Sequence, residues 1–198
     1  MNARVVHLVD DNEPFRRSTV WLLETAGFTV HDYSGARAFL DASIDNSEAC
    51  CLVSDIRMPE MSGLELHEEL RKRGSRLPIV FITAHGDIPL AVEAMRKGAC
   101  DFIEKPFQDD KLIAAIEGAL AGADAKENPA PSKEKLAHLT PREKQVLDLV
   151  VAGKLNKTIA DELHISIKTV ELHRANMMSK LGVRNVPDLV RLVLGVRQ

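Results

Sequence analysis

Asp10 and Asp11 follow the apolar run Val5–Val9, and Asp55 closes a second run, Leu52-Val53-Ser54. Carboxylates brought to one point repel one another unless a cation offsets them, and a hard divalent ion bound by oxygens does so. Mg²⁺ takes a few carboxylates together with water and phosphate oxygens. Asp10, Asp11 and Asp55, with a backbone carbonyl from the turn after Asp55, fit that demand. Such an ion can hold an incoming phosphoryl group and offset the charge spreading over its oxygens. A carboxylate can also be the nucleophile, giving an acyl phosphate. Two further runs end in complementary groups. Ile79–Ile82 leads to Thr83-Ala84, a hydroxyl donor beside a residue too small to block approach. Asp101-Phe102-Ile103-Glu104 leads to Lys105-Pro106, whose ammonium can pair with Asp55 and later with a phosphoryl oxygen; the bond before Pro106 admits a cis isomer.

These groups can meet only if the runs lie side by side. Val5–Val9, Thr29–Tyr33, Leu52–Ser54, Ile79–Ile82 and Asp101–Ile103 have the length and composition of buried strands. They alternate with helical patterns at Pro14–Ala26, Ala36–Ala42, Leu64–Arg73, Ile88–Lys97 and Lys111–Leu120. Five strands alternating with five helices predict an α/β fold, a doubly wound parallel sheet. In strand order 2-1-3-4-5 the switch point lies between the first and third strands, which gathers Asp10, Asp11 and Asp55 in one crevice. Trp21 and Tyr33, the only residues of their types, are read as packing.

The pattern breaks at Ala121–Lys135, a small, polar, proline-containing stretch that reads as a linker. Four short helices are expected beyond it. Thr140-Pro141-Arg142-Glu143 is a capping box with proline in the first turn, and Gly153 ends that helix. Asn156–Leu163 and the stretch from Ser166 through Leu181 to Gly182 form a pair with a tight turn between them, in helix-turn-helix proportions. Asn185-Val186-Pro187-Asp188 caps the last helix. Charge divides along the same line. Residues 1–129 carry 14 Lys and Arg against 22 Asp and Glu, a formal −8, and residues 130–198 carry 12 against 7, a formal +5; the whole chain is at −3. A basic helical module suits a polyanion. The third of these helices would enter the major groove, with Val170, Met177 and Leu181 toward the core and Lys168, Glu171, Leu172 and Ala175 outward. Glu171 can accept from cytosine N4, and Leu172 or Ala175 can touch a thymine methyl.

Asp10-Asp11, Asp55-x-x-Met58-Pro59 with Gly63, Thr83-Ala84 and Phe102-x-x-Lys105-Pro106 resemble a two-component response-regulator receiver domain. Thr83-Ala84-His85-Gly86-Asp87-Ile88-Pro89 is similar to the FixJ branch of that family. The resemblance implies a flavodoxin-like receiver over residues 1–121. In it Asp55 accepts phosphate from a histidine kinase, Asp10, Asp11, Asp55 and the carbonyl of Arg57 hold Mg²⁺, Thr83 moves to the phosphoryl group, Lys105 pairs with it, and the ring of Phe102 turns inward as a packing switch. Leu139-Thr140-Pro141-Arg142-Glu143, Asn156-Lys157-x-Ile159-Ala160 and Ile165-Ser166-x-Lys168-Thr169-Val170-Glu171-x-His173-Arg174 with Lys180-Leu181 resemble the LuxR-type DNA-binding domain, over residues 136–198 with 122–135 as linker. By that resemblance Lys168, Glu171, Leu172 and Ala175 lie on the face toward double-stranded DNA, and Asn156, Lys157, Thr169, His173 and Lys180 at or near its backbone. Leu155 stands where that family often has Ser or Thr, and Thr158 where it often has Glu, so the cap of that helix departs from the pattern. Phosphorylation is expected to promote a homodimer, and the resemblance leaves room for RNA polymerase as a further partner.

A cytoplasmic, reduced protein is expected. No apolar run reaches the ~18–20 residues of a membrane span, the N-terminus lacks a signal-peptide pattern, and Cys50, Cys51 and Cys100 have no metal-ligand spacing. A rival reading is a Mg²⁺-dependent phosphohydrolase with an aspartyl nucleophile. Those enzymes usually carry a second aspartate two residues after the nucleophile; Arg57 stands there, so the chain is read as a regulator and not an enzyme.

Overall fold

The structure is a computed structural model that describes residues 4–42, 49–84, 88–122 and 136–194. Five parallel strands, β1 (Arg4–Val9), β2 (Thr29–Tyr33), β3 (Ala49–Asp55), β4 (Ile79–Thr83) and β5 (Asp101–Glu104), form one sheet in the order β2-β1-β3-β4-β5. The helices between and after them are α1 (Glu13–Thr25), α2 (Ala36–Asp41), α3 (Gly63–Lys72), α4 (Ile88–Arg96) and α5 (Asp109–Gly122). The fold class and strand order are those expected.

The central strands are apolar almost throughout because both their faces are covered. On β1, Val6 and Leu8 join Val53, Val80, Ile82 and Ile103 in a core closed by Leu23 of α1 and Leu112 and Ile116 of α5. The alternate positions point the other way, as a period of two requires. There the ring of His7 meets those of Tyr33 and Phe39, and His67 of α3 meets Phe81. Register places Val9 beside Ser54 and Asp55 beside Ile82, so the carboxyl ends of β1, β3 and β4 come level. Local chemistry starts α1 and α3 where they are needed. Asn12 caps α1, its side chain accepting from the amide of Phe15, and Ser62 with Glu65 forms a capping box on α3. Trp21 departs from expectation: it lies on the outer face of α1 and is 70% exposed. The apolar stripe of α1 is carried by Leu23 and its neighbours, and the one tryptophan falls off it.

The remaining helices are α6 (Pro141–Val151), α7 (Asn156–Leu163), α8 (Ile167–Leu181) and α9 (Val186–Leu194). Their core is Leu139, Val146, Leu147, Val150, Ile159, Val170, Met177, Leu181 and Leu189. Thr140 and Glu143 make the expected reciprocal cap, and Ser166 accepts from the amide of Thr169 at the start of α8. The amide of Asp188 donates to Asn185 Oδ1 (2.7 Å) in the first turn of α9. Gly182 ends α8 with a left-handed backbone, φ 71°. At the turn between α7 and α8 the same region is taken by His164, φ 52°, a position where glycine would be commoner. Leu155 precedes α7 without a side-chain cap. By packing, the described residues divide into one unit drawn from 4–84 and 99–122 and another from 88–98 and 136–194. Helix α4 therefore groups with the C-terminal helices, and within that unit the Arg96 guanidinium donates to the carbonyl of Val151 (2.9 Å). His85 lies outside the described residues, as do linker residues 123–135.

Candidate functional site

Parallel strands all deliver their carboxyl ends to one edge of the sheet, and at that edge the acidic residues converge. Ligand atoms from Asp10, Asp11 and Asp55 all lie within 4.8 Å of one another. Asp10 is fully buried, Asp55 is 8% exposed, and Asp11 stands in solvent. Lys105 reaches in from the end of β5, its ammonium donating to Asp10 Oδ2 (2.6 Å) and Asp55 Oδ2 (2.8 Å). The cation also sits 3.8 Å over the ring of Phe15. Burial pushes the Asp10 carboxyl above its usual range; the hydrogen bonds from Lys105 and from the amide of Asn12 pull against that, and the charge of Asp55 adds to it. An edge this acidic, with two buried carboxylates and one open to solvent, has the donor set of a hard divalent ion.

The loop after β3 is folded tightly over Asp55. The amide of Arg57 donates to Asp55 Oδ1 (3.1 Å), and the amide of Gly63 donates to the carbonyl of Ile56 (2.9 Å), which draws the start of α3 against the strand end. A β-carbon at Gly63 would collide with the carbonyl oxygen of Asp55 and stand 3.0 Å from Ser54 Oγ. Glycine is required there for close approach. Thr83 is buried at the end of β4, and its carbonyl accepts from the amide of Lys105 (2.8 Å). The Lys105–Pro106 bond is cis. Phe102 is buried, paired in register with Phe81.

Four neighbours of this site escaped the sequence reading. Asn12 donates its amide to Asp10 Oδ1 (2.8 Å), and Arg16 binds the Asp10 carbonyl (2.8 Å) while pairing with Asp32. Phe15 lies beneath Lys105, and Ser54 Oγ donates to the carbonyl of Asp55 (2.8 Å). Phe15 and Arg16 lie three and four residues after Asn12, the cap of α1. That spacing was legible, but nothing in it said that Asp10 lay opposite.

In the helical module, Lys168, Glu171, Leu172 and Ala175 share one exposed face of α8, and Val170, Met177 and Leu181 are buried on the other. Lys157 is exposed at the start of α7; Asn156, Thr169 and His173 are half-buried. Lys180 is exposed and ion-paired within the module. Its ammonium donates to both oxygens of Glu143 (2.9 and 2.7 Å), a residue 3% exposed in the first turn of α6. That ammonium, with the amide of Thr140, holds the Glu143 carboxyl below its usual range.

Comparison with known proteins finds a family for each half of the chain. The response regulator receiver domain family matches residues 6–117, and the bacterial regulatory proteins of the luxR family match residues 137–193. The chain is 46% identical over 193 residues to the transcriptional regulatory protein FixJ of Azorhizobium caulinodans, covering 96% of this chain and 91% of that protein. It is 48% identical over 198 residues to FixJ of Rhizobium meliloti, covering 98% and 97%. Among solved structures, full-length FixJ from B. japonicum aligns over 97% of this chain and 96% of its own, with 41% identity and a TM-score of 0.56.

Proposed function

Because the chain belongs to the response regulators that join a receiver domain to a LuxR-type DNA-binding domain, we propose that its phosphoacceptor is Asp55 and that Asp10, Asp11, Asp55 and the carbonyl of Arg57 hold the Mg²⁺ needed to load it. The protein is a phosphorylation-dependent transcription factor. An Asp55 oxygen attacks the phosphorus of a phosphohistidine on the cognate kinase, the phosphorus–nitrogen bond breaks, and an acyl phosphate remains on the aspartate. Mg²⁺, when bound, supplies positive charge to the phosphoryl oxygens. Lys105 then exchanges part of its pairing with Asp55 for a phosphoryl oxygen, and the Thr83 hydroxyl reaches the same group. A charge near −2 replacing −1 biases an equilibrium between two arrangements of the fourth and fifth strand-helix units, with Phe102 packed between them. That surface pairs two copies, whose DNA modules engage adjacent half-sites through Lys168, Glu171, Leu172 and Ala175. Asn156, Lys157, Thr169 and His173 meet the phosphate backbone.

The observation that carries this reading is the convergence of three aspartates within 4.8 Å, with one lysine bonded to two of them. Incubation with acetyl phosphate and Mg²⁺ tests it. The wild type gains one acid-labile phosphoryl mass, and Asp55→Ala gains none. Label surviving in Asp55→Ala at full stoichiometry moves the acceptor elsewhere, and sustained turnover of generic phosphomonoesters supports the phosphohydrolase reading instead.

A further inference from the structure

Arg174 sits in the middle of α8, next to His173 and Ala175, and a basic residue on such a helix invites the reading of one more phosphate contact. Its position on the helix says otherwise. Val170, Arg174, Met177 and Leu181 recur at spacings of four, three and four, which is one stripe of an α-helix. Three members of that stripe are buried core residues. Lys168, Glu171, Leu172 and Ala175 recur on the exposed side. Arg174 thus points inward from the recognition helix, and it is half-buried. Its Nη1 donates to Asn156 Oδ1 at 2.6 Å, and its Nε is buried without a hydrogen-bond partner. Burial draws its pKa down, against an opposing pull from Glu171; an arginine stays charged through such a shift.

Asn156 is the first residue of α7, and that helix lacks what its neighbours have. Helices α6 and α8 begin at Thr140 and Ser166, which cap them, whereas Leu155 makes no side-chain cap. Helix α7 is instead gripped from outside at both ends. Arg142 of α6 donates to the carbonyl of Leu163 (2.7 Å) at its C-terminus, and Arg174 of α8 holds Asn156 at its N-terminus. We propose that Arg174 is a positioning residue for DNA binding: it ties the uncapped start of α7 to the recognition helix, so that the exposed Lys157 beside Asn156 and the outward face of α8 are presented in one fixed arrangement. It touches no phosphate itself. The inference rests on the DNA-binding reading of this module.

The test uses the full-length chain loaded with acetyl phosphate and Mg²⁺, a duplex enriched from a random pool by the loaded wild type, and three variants: Arg174→Met, Arg174→Gln and Lys157→Ala. Affinity is measured across a salt series, and amide hydrogen exchange is followed without DNA. A residue neutralising one phosphate contributes about 0.9 to the slope of log K against log salt. Lys157→Ala should therefore lower affinity and shallow the slope by about that amount. Arg174→Met should lower affinity about tenfold at every salt concentration with the wild-type slope, and should speed exchange of the Ile159 amide, which donates to the carbonyl of Leu155 at the start of α7. Arg174→Gln, which keeps a donor, should fall between. A shallower slope with unchanged exchange would make Arg174 a phosphate ligand and overturn the proposal, as would wild-type affinity. Loss of cooperative unfolding in both Arg174 variants would make it a general stability residue and overturn it too. If the wild-type chain enriches no duplex, the DNA-binding reading fails, while faster exchange in Arg174→Met would still report the tie.

Discussion

Replacing Lys105 by methionine keeps the stem and removes the cation from between two buried carboxylates. The ammonium lies 2.6 Å from Asp10 and 2.8 Å from Asp55, with the three side chains 14%, 0% and 11% exposed. Two unit charges within 4.8 Å of one another, as the ligand atoms of the cluster are, repel by about 3 kcal/mol or more at an effective dielectric of about 20. Breaking a buried pair by removing one partner costs about 3–5 kcal/mol, because the remaining charge is left uncompensated. In EDTA at neutral pH, Lys105→Met should therefore unfold with about 3 kcal/mol less stability than wild type. A divalent ion that binds only the folded state at 100 times its dissociation constant returns about 2.7 kcal/mol. Adding MgCl2 should thus restore most of the loss in the variant and help the wild type less, since its lysine already offsets part of the charge. Urea titrations followed by circular dichroism, with NaCl matched for ionic strength, read all four values. A deficit under 1 kcal/mol in EDTA, or equal Mg²⁺ stabilisation of both proteins, would refute the idea that lysine and metal answer the same electrostatic problem.

Gly63→Ala should destabilise by about 1–3 kcal/mol and slow phosphorylation, because its methyl meets the Asp55 carbonyl and Ser54 Oγ. Gly35→Ala, with nothing within 4 Å, should stay within about 0.5 kcal/mol; equal urea midpoints for the two would remove the close-approach argument. Burial first, and then the charge of His31, lowers the His7 pKa from 6.5 to about 4. The folded protein keeps this imidazole neutral while the unfolded chain takes up a proton near 6.5. Its stability is whole above that pH and falls through the window from 6.5 to 4, by about 3 kcal/mol at the acid end. His7→Leu should flatten that slope in unfolding titrations between pH 7.5 and 4.5, and an unchanged slope would assign the acid loss to other groups. Leu155→Ser should add the cap that α7 lacks, raising stability by about 1 kcal/mol. The backbone at Leu155 already has φ −72° and ψ 153°, so a variant no more stable than wild type would show that the Arg174 tie leaves nothing for a cap to gain.

Most of the chain's organisation is written locally. The apolar runs are continuous because both faces of a parallel sheet are covered. That is why Val5–Val9 and Ile79–Ile82 could be read as strands and their ends as neighbours. Helix starts were equally legible at Thr140, Ser166 and Asn185, whose side chains satisfy amides three residues on. The stripe through Val170, Met177 and Leu181 placed the core side of α8 correctly, and with it the outward face. Trp21 was misread because residue type predicts burial only on average; its place on α1 turns it to solvent.

By itself, then, the amino-acid order determined the strands, the helices, the caps at Thr140, Ser166 and Asn185 and the three aspartates at strand ends, since each depends on residues a few positions apart. Only the tertiary structure decided that Lys105 bridges Asp10 as well as Asp55, that Glu143 takes both contacts of Lys180, and that Arg174 turns inward to Asn156. Those pairs are separated by 95, 50, 37 and 18 residues. Periodicity tells a side chain which way to face; which charge it then meets depends on how the elements carrying both are packed.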